Sequence, residues 1–220
     1  MHITIDPAVR AACPSLALGL VEADVVNATG SAALGAALDA CAAAVTRDMV
    51  IEDIARLPAV QALRRAYRAL GKDPTRYRGS QEALMRRILR GLGLYRINTV
   101  VDLMNLVSIE SRQSLGVYDR DRIVGDEVLM RVATAGETYK GIGKDLLNLE
   151  GLPVYVDAEG PFGSPTSDSE RAMVTVETRR ILLVVTAFGG TDGLVATLDR
   201  TAELLRQHAG AEGIATAVVA

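Results

Sequence analysis

The stretch EGPFGSPTSDSER, residues 159–171, carries the densest set of side chains able to recognise a ligand. Its thirteen positions hold four glycines or prolines, four hydroxyl residues, three carboxylates and one arginine. Ser164, Thr166, Ser167 and Ser169 offer hydroxyls that both donate and accept, and Asp168 offers an acceptor carboxylate. A set of this kind reads an amine or amide without needing a nucleophile. Arg171 adds a planar fork suited to a carboxylate or phosphate. Asp168 is the one candidate for catalysis, as a group that holds a water or accepts from an amine or hydroxyl. The plainer alternative is a turn in which Ser and Asp bond their own backbone. That alternative accounts for one or two of these residues and poorly for the whole set.

Other chemistries are poorly supplied. The only histidines are His2, near the start, and His208, in the last turn of an expected helix, where a cation suits the dipole. A Ser-His-Asp or Cys-His arrangement and a histidine metal site are therefore not expected. Cys13 and Cys41 are too few and too far apart for a disulfide framework or a zinc site, so no metal or cofactor is expected. GIGKD (141–145) lacks the spacing of a phosphate loop. AFGGTDG (187–193) reads as a strand-to-helix turn with Thr191 or Asp192 as the cap. The main basic cluster lies at 64–96 and includes Arg64, Arg65, Arg68, Arg76, Arg78, Arg86, Arg87 and Arg90. It is either a pair of helices with solvated basic faces or a phosphate-binding surface, in which Arg76, Arg78, Arg86 and Arg87 would contact RNA.

These residues need elements to hold them. HITI and SLALGLVEADV read as strands, and 31–70 as helical, interrupted at Pro58 and stopped at Gly71. A helix is expected over 80–91, and the apolar spacing at 100–109 suits a buried helix, with a strand as the alternative. Beyond residue 116, GVY, EVLMRVA, LPVYVD, AMVTVET and ILLVVTAF read as strands, followed by a helix and a last strand, IATAVVA. Strands in blocks with helices grouped elsewhere argue for an α+β fold and one domain over 1–220. At 220 residues, with 49% apolar, 23% charged and 4% aromatic side chains, the chain can bury a largely aliphatic core. No apolar run reaches the roughly 20 residues of a membrane helix, and no export signal is visible, so a cytoplasmic location is expected. The net charge of −3 weighs against a protein that lives on nucleic-acid backbones.

INTVVDLMNLVSIESRQSLGVYD, residues 97–119, resembles the signature of the tRNA-editing domain of the phenylalanyl-tRNA synthetase beta subunit. Ile97, Asn98, Val101, Asp102, Asn105, Val107, Glu110, Gln113, Leu115, Tyr118 and Asp119 fall where that pattern has its fixed positions. RIVGDEVLMRVATAGE, LPVYVDAEGP and SQEALMRRILRGLGLYRIN extend the likeness over about 80–190, with 30–71 as an added helical segment. The resemblance implies a three-layer β-β-α sandwich with a pocket between layers. It also implies hydrolysis of mischarged aminoacyl-tRNA by positioned water and tRNA hydroxyls rather than by a protein nucleophile.

The departures fall on the pocket. Met104 stands for Thr, Arg112 for Gly and Gly116 for His, while SPTSDS (164–169) replaces a glycine-rich turn. ILLVV (181–185) also lacks the carboxylate that reads a tyrosine hydroxyl in that family. The expectation is an editing-like fold with a rebuilt pocket, read by Asn105 and Glu110 from the helix and by Ser164, Thr166, Ser167, Asp168, Ser169 and Arg171 from the loop. Two functions follow: an aminoacyl-tRNA deacylase whose partner is tRNA, or a non-catalytic domain that binds an amino-acid-like molecule.

Overall fold

The computed structural model describes residues 1–220. Strand β1 (His2–Ile5) leads into a short helix α1 (Pro7–Ala12), capped by the Asp6 carboxylate on Ala8 N–H at 2.8 Å, with proline at its first position. Strand β2 (Ala17–Asp24) is followed by three helices, α2 (Ala32–Asp48), α3 (Pro58–Ala69) and α4 (Ser80–Leu89). Helix α5 (Thr99–Ser111) begins where Asn98 Oδ1 accepts from Val101 N–H at 3.0 Å, so residues 100–109 are helical and the strand alternative is not formed. There follow β3 (Ser114–Asp119), β4 (Glu127–Val132), the hairpin β5 (Thr138–Lys140) and β6 (Leu146–Asn148), then β7 (Pro153–Val156) and β8 (Pro161–Gly163). Strand β9 (Arg180–Ala187), helix α6 (Leu194–Ala209) and strand β10 (Glu212–Val219) complete the order.

Two four-stranded sheets result, in the orders β1-β4-β7-β8 and β10-β2-β9-β3. The second is antiparallel throughout, and the first has one parallel pair, β1 with β4. Alternation along the strands of the second sheet divides its side chains between two cores. Leu18, Leu20, Tyr118, Leu182 and Val184 pack towards the first sheet, against Val128, Met130, Val154, Tyr155 and Phe162. Ala17, Val21, Val117, Leu183 and Val185 pack the other way, against Leu34 and Leu38 of α2, Leu103 and Val107 of α5, and Leu198 and Leu205 of α6. The architecture is thus sheet on sheet on helices, an α+β three-layer sandwich. Because β9 is covered on both faces, its sequence is a continuous apolar run rather than an alternating one.

The helical 30–71 region divides between two layers, with α2 in the helical layer and α3 reaching the inter-sheet core through Ala62, Leu63, Ala66 and Tyr67. The sandwich also uses β1, β2 and β10, all outside residues 80–190. Two local expectations are corrected. AMVTVET (172–178) follows a 3₁₀ turn at Glu170–Ala172 and makes one isolated bridge, Met173 with Tyr118, before a loop; it is not a strand. Its backbone is drawn off instead into a turn closed by Thr178 N–H on Thr175 O at 3.0 Å, while Asn27 takes the same carbonyl at 2.8 Å. Helix α6 starts at Gly193 with no side-chain cap, so neither Thr191 nor Asp192 fills that role.

Tyr118 joins the two sheets. Its ring is fully buried and edge-on to Phe162, with centroids 5.0 Å apart. A Cβ added to Gly116 on β3 or to Gly163 on β8 would strike the Tyr118 ring and its hydroxyl. Gly116→Ala is therefore expected to lower stability by about 1–3 kcal/mol. In a double-mutant cycle with Tyr118→Phe, which removes the struck oxygen, the double variant should lose less than the sum of the two single losses. Urea unfolding midpoints measure this, and strict additivity would refute the steric account.

Candidate functional site

The 159–171 stretch wraps the end of β8 and carries its own turn. Ser164 Oγ accepts from Ser167 N–H at 3.0 Å and donates to Ser167 O at 2.7 Å. Ser169 Oγ accepts from Arg171 N–H at 3.1 Å and starts the 3₁₀ turn. Local capping thus explains Ser164 and Ser169. Thr166, Ser167 and Asp168 are tied to other parts of the molecule.

Asp168 Oδ1 accepts from Tyr118 Oη at 2.7 Å and from Ser164 N–H at 3.4 Å. Tyr139 Oη donates to Ser167 O at 2.5 Å, and Tyr67 Oη lies 3.1 Å from Thr166 Oγ1. Lys144 Nζ donates to Ser167 Oγ at 2.9 Å from the loop between β5 and β6. Three of the six tyrosines therefore set the loop, and Tyr155 lies edge-on to Tyr118 from the neighbouring strand. Burial pushes the Asp168 carboxyl up to about 6 even though Tyr118, Ser164 N–H and Lys144 favour its charged form. Burial, and then the Asp168 charge, push the Tyr118 phenol well above its ordinary value, so it stays a donor at neutral pH. The result is a carboxylate that changes charge near neutrality, held in a fixed orientation by a phenol and a backbone amide. Its chemistry is that of a general base or of an acceptor for an amine or hydroxyl.

Arg171 is committed elsewhere. Its fork grips the Asp157 carboxylate with two 2.9 Å hydrogen bonds, and it also donates to Gly160 O at 3.0 Å. Asp157 accepts in addition from the N–H groups of Val124, Glu159 and Gly160. Burial opposes its ionisation, but these partners outweigh burial and hold its carboxyl below the ordinary value. Arg171 thus staples the loop to the end of β7.

The two helix candidates do not join the loop through hydrogen bonds. Asn105 is buried within α5, in the helical layer. Glu110, at the end of α5, pairs with Arg200 of α6 at 3.1 Å. The basic segment is also largely paired. Glu82, 1% exposed, is met by Arg64 at 2.8 Å, Arg86 at 2.9 Å and Arg78 at 3.7 Å. Arg87 lies over the Tyr95 ring, 3.7 Å from its centroid, while Arg76 is exposed. Tyr67, Tyr139 and Lys144 were not among the residues singled out from sequence, because no spacing links them to residue 168. Tyr118 had stood out only as a position in a motif.

The chain belongs to the B3/4 domain family, whose model matches residues 62–210. It is 29% identical over 154 residues to the phenylalanine–tRNA ligase beta subunit of Symbiobacterium thermophilum, covering 58% of this chain and 17% of that protein. It is 38% identical over 102 residues to the same subunit of Yersinia pestis, covering 45% of this chain and 13% of that protein. The chain thus spans less than a fifth of the length of these relatives. A solved N-terminal fragment of the phenylalanyl-tRNA synthetase beta subunit from Pyrococcus horikoshii aligns over 96% of this chain and 49% of its own, at 15% identity and a TM-score of 0.49. The family resemblance read from residues 97–119 is borne out. No helix is long and apolar enough to cross a membrane.

The raised Asp168 carboxyl makes folding stability depend on pH. Its charged form is disfavoured in the native state, so the cost is absent below its ordinary value of 3.8 and complete above about 6. Stability should therefore fall by about 3 kcal/mol as pH rises through that window. Asp168→Asn, which keeps an acceptor for Tyr118, should flatten this part of the curve. Tyr118→Phe removes a group that favours the charge and should move the upper end of the window to higher pH. Chemical denaturation from pH 3.5 to 7.5 checks both, and identical curves for wild type and Asp168→Asn would sink the assignment.

Proposed function

We propose that this chain is a tRNA-linked domain that acts on an aminoacyl-tRNA ester, with a recognition loop different from that of tyrosine editing. The observation that carries this reading is the Asp168 carboxylate, held by Tyr118 Oη at 2.7 Å in a hydroxyl-rich loop and titrating near 6. Membership of the B3/4 family and similarity to synthetase beta subunits support the link to tRNA. The exposed Arg76 and Arg78, with the half-buried Arg86 and Arg87, would meet RNA phosphates.

In the proposed reaction Asp168 takes a proton from a water whose oxygen bonds to the ester carbonyl carbon. The bond from that carbon to the ribose oxygen breaks, and the proton passes on to the leaving ribose hydroxyl. The Ser164–Ser167 turn positions the carboxylate, and the Tyr118 donor keeps it ionised above pH 6.

A second reading is favoured by the net charge of −3 and by the pairing of most arginines in 64–96 with internal partners. In that reading the same loop binds a free amino-acid-like molecule without catalysis, its amine meeting Asp168.

A panel of mischarged aminoacyl-tRNAs separates the two. Under the first reading, deacylation above the buffer rate is expected on at least one tRNA, rising with pH around 6 and falling by about a hundredfold or more in Asp168→Asn. Under the second, no deacylation occurs, and amino acids raise the melting temperature of wild type but not of Asp168→Asn. If Asp168→Asn keeps full activity, Asp168 is not the base.

A further inference from the structure

The structure carries a second constellation, away from the 159–171 loop. Helix α3 presents Gln61, Arg64, Arg65 and Arg68 on one face, and with Ala55 of the preceding 3₁₀ turn (Asp53–Arg56) they line a concavity of about 330 Å³. No carboxylate lines it. Asp53, the acid nearest in sequence, is spent on Val50 N–H at 2.9 Å and on Arg56 at 3.2 Å. Arg65 and Arg68 are exposed and form no ion pair.

Arg64 is built in rather than solvated. Its Nη2 donates at 2.8 Å to Glu82, whose side chain is 1% exposed and is also held by Arg86 at 2.9 Å. That buried carboxylate orients the Arg64 fork, yet Arg64 Nε is a buried donor with no acceptor. Glu82 Oε2 is likewise buried without a donor, so this pair leaves hydrogen-bonding capacity unused at the wall of the concavity. Glu82 meets three arginines and neutralises only one of them, so the region keeps an excess of positive charge. Guanidinium groups converging on a concavity with one amide fit the three or four oxygens of a phosphate group, which arginine forks grip in pairs.

We propose that Arg64, Arg65 and Arg68, with Gln61, form a binding site for a phosphate group, with Glu82 positioning Arg64. The site stands apart from Asp168, so its failure leaves the hydrolytic reading untouched, and failure of that reading leaves this site untouched. The phosphate can come from two sources: a small anion such as pyrophosphate, or a phosphate carried on RNA.

Titration calorimetry on the full chain at constant ionic strength tests it, with pyrophosphate in one arm and a short oligoribonucleotide in the other. The variants are Arg65→Gln/Arg68→Gln, which keeps good helix formers on an exposed face, and Arg90→Gln, an exposed arginine outside the concavity. Pyrophosphate should bind one to one, weaken by about tenfold or more in the double variant, and keep its affinity in Arg90→Gln. If only the oligoribonucleotide binds and its salt slope drops by about two in the double variant, the source is RNA and the site still stands. Binding of neither ligand, equal affinity in wild type and double variant, or equal weakening by Arg90→Gln overturns it.

Discussion

The placement of one phenol ring constrains much of this molecule. Tyr118 projects from β3 into the space between the sheets, where Gly116 and Gly163, one from each sheet, give up their side chains to admit it. Its hydroxyl emerges at the loop and donates to Asp168. A carboxylate withdrawn from water needs such donors, because an unsatisfied one costs more than a hydrogen bond gains. The ring therefore couples the spacing of the sheets to the position and charge of Asp168. Tyr139 and Tyr67 repeat the device on Ser167 and Thr166, so the loop is held from below by phenols anchored in the core.

Charge is organised in the same economical way. Arg171 and Asp157 close on each other at the loop's far end, and one buried carboxylate, Glu82, gathers three arginines where α3 meets α4. Breaking a buried pair of this kind leaves an uncompensated charge, which is far worse than never having had it. The basic segment 64–96 is consequently not a uniform cationic face. Arg64, Arg78, Arg86, Arg87 and Arg96 are engaged within the fold, and of those without ion pairs only Arg65 and Arg68 line the concavity on α3.

Membership of the B3/4 family places this chain among domains found in synthetase beta subunits, of which it spans only a small part. The motif at 97–119 proves to be largely architectural. Asn98 caps α5, Asp102 accepts from Ile97 N–H at 2.9 Å, and Asp119 accepts from Thr178 Oγ1 at 2.6 Å. Gly116, in the same segment, makes room for the Tyr118 ring in the inter-sheet space.

Local pattern sufficed for several elements. β2 and β9 were legible as short apolar runs bounded by turn residues and α6 by its helical apolar repeat, while α5, buried on nearly all sides, had left a strand open. AMVTVET misled because alternation of apolar residues says nothing about a carbonyl already claimed by Asn27, 148 residues away in sequence. The candidate site divides along the same line. Residue types alone marked the hydroxyls and Asp168 as unusual, since their density in one short stretch is a local property. Which of them act together was not local: Tyr118 is 50 residues from Asp168, Tyr67 is 99 from Thr166, and Arg171 was already engaged by Asp157. Composition and spacing thus determined the α+β class and the suspect loop, while the layers and the family followed from the likeness of residues 97–119 to a known domain. Only the packed structure decided which carboxylate is poised and which arginines are spent, because burial and pairing arise between residues distant in the chain.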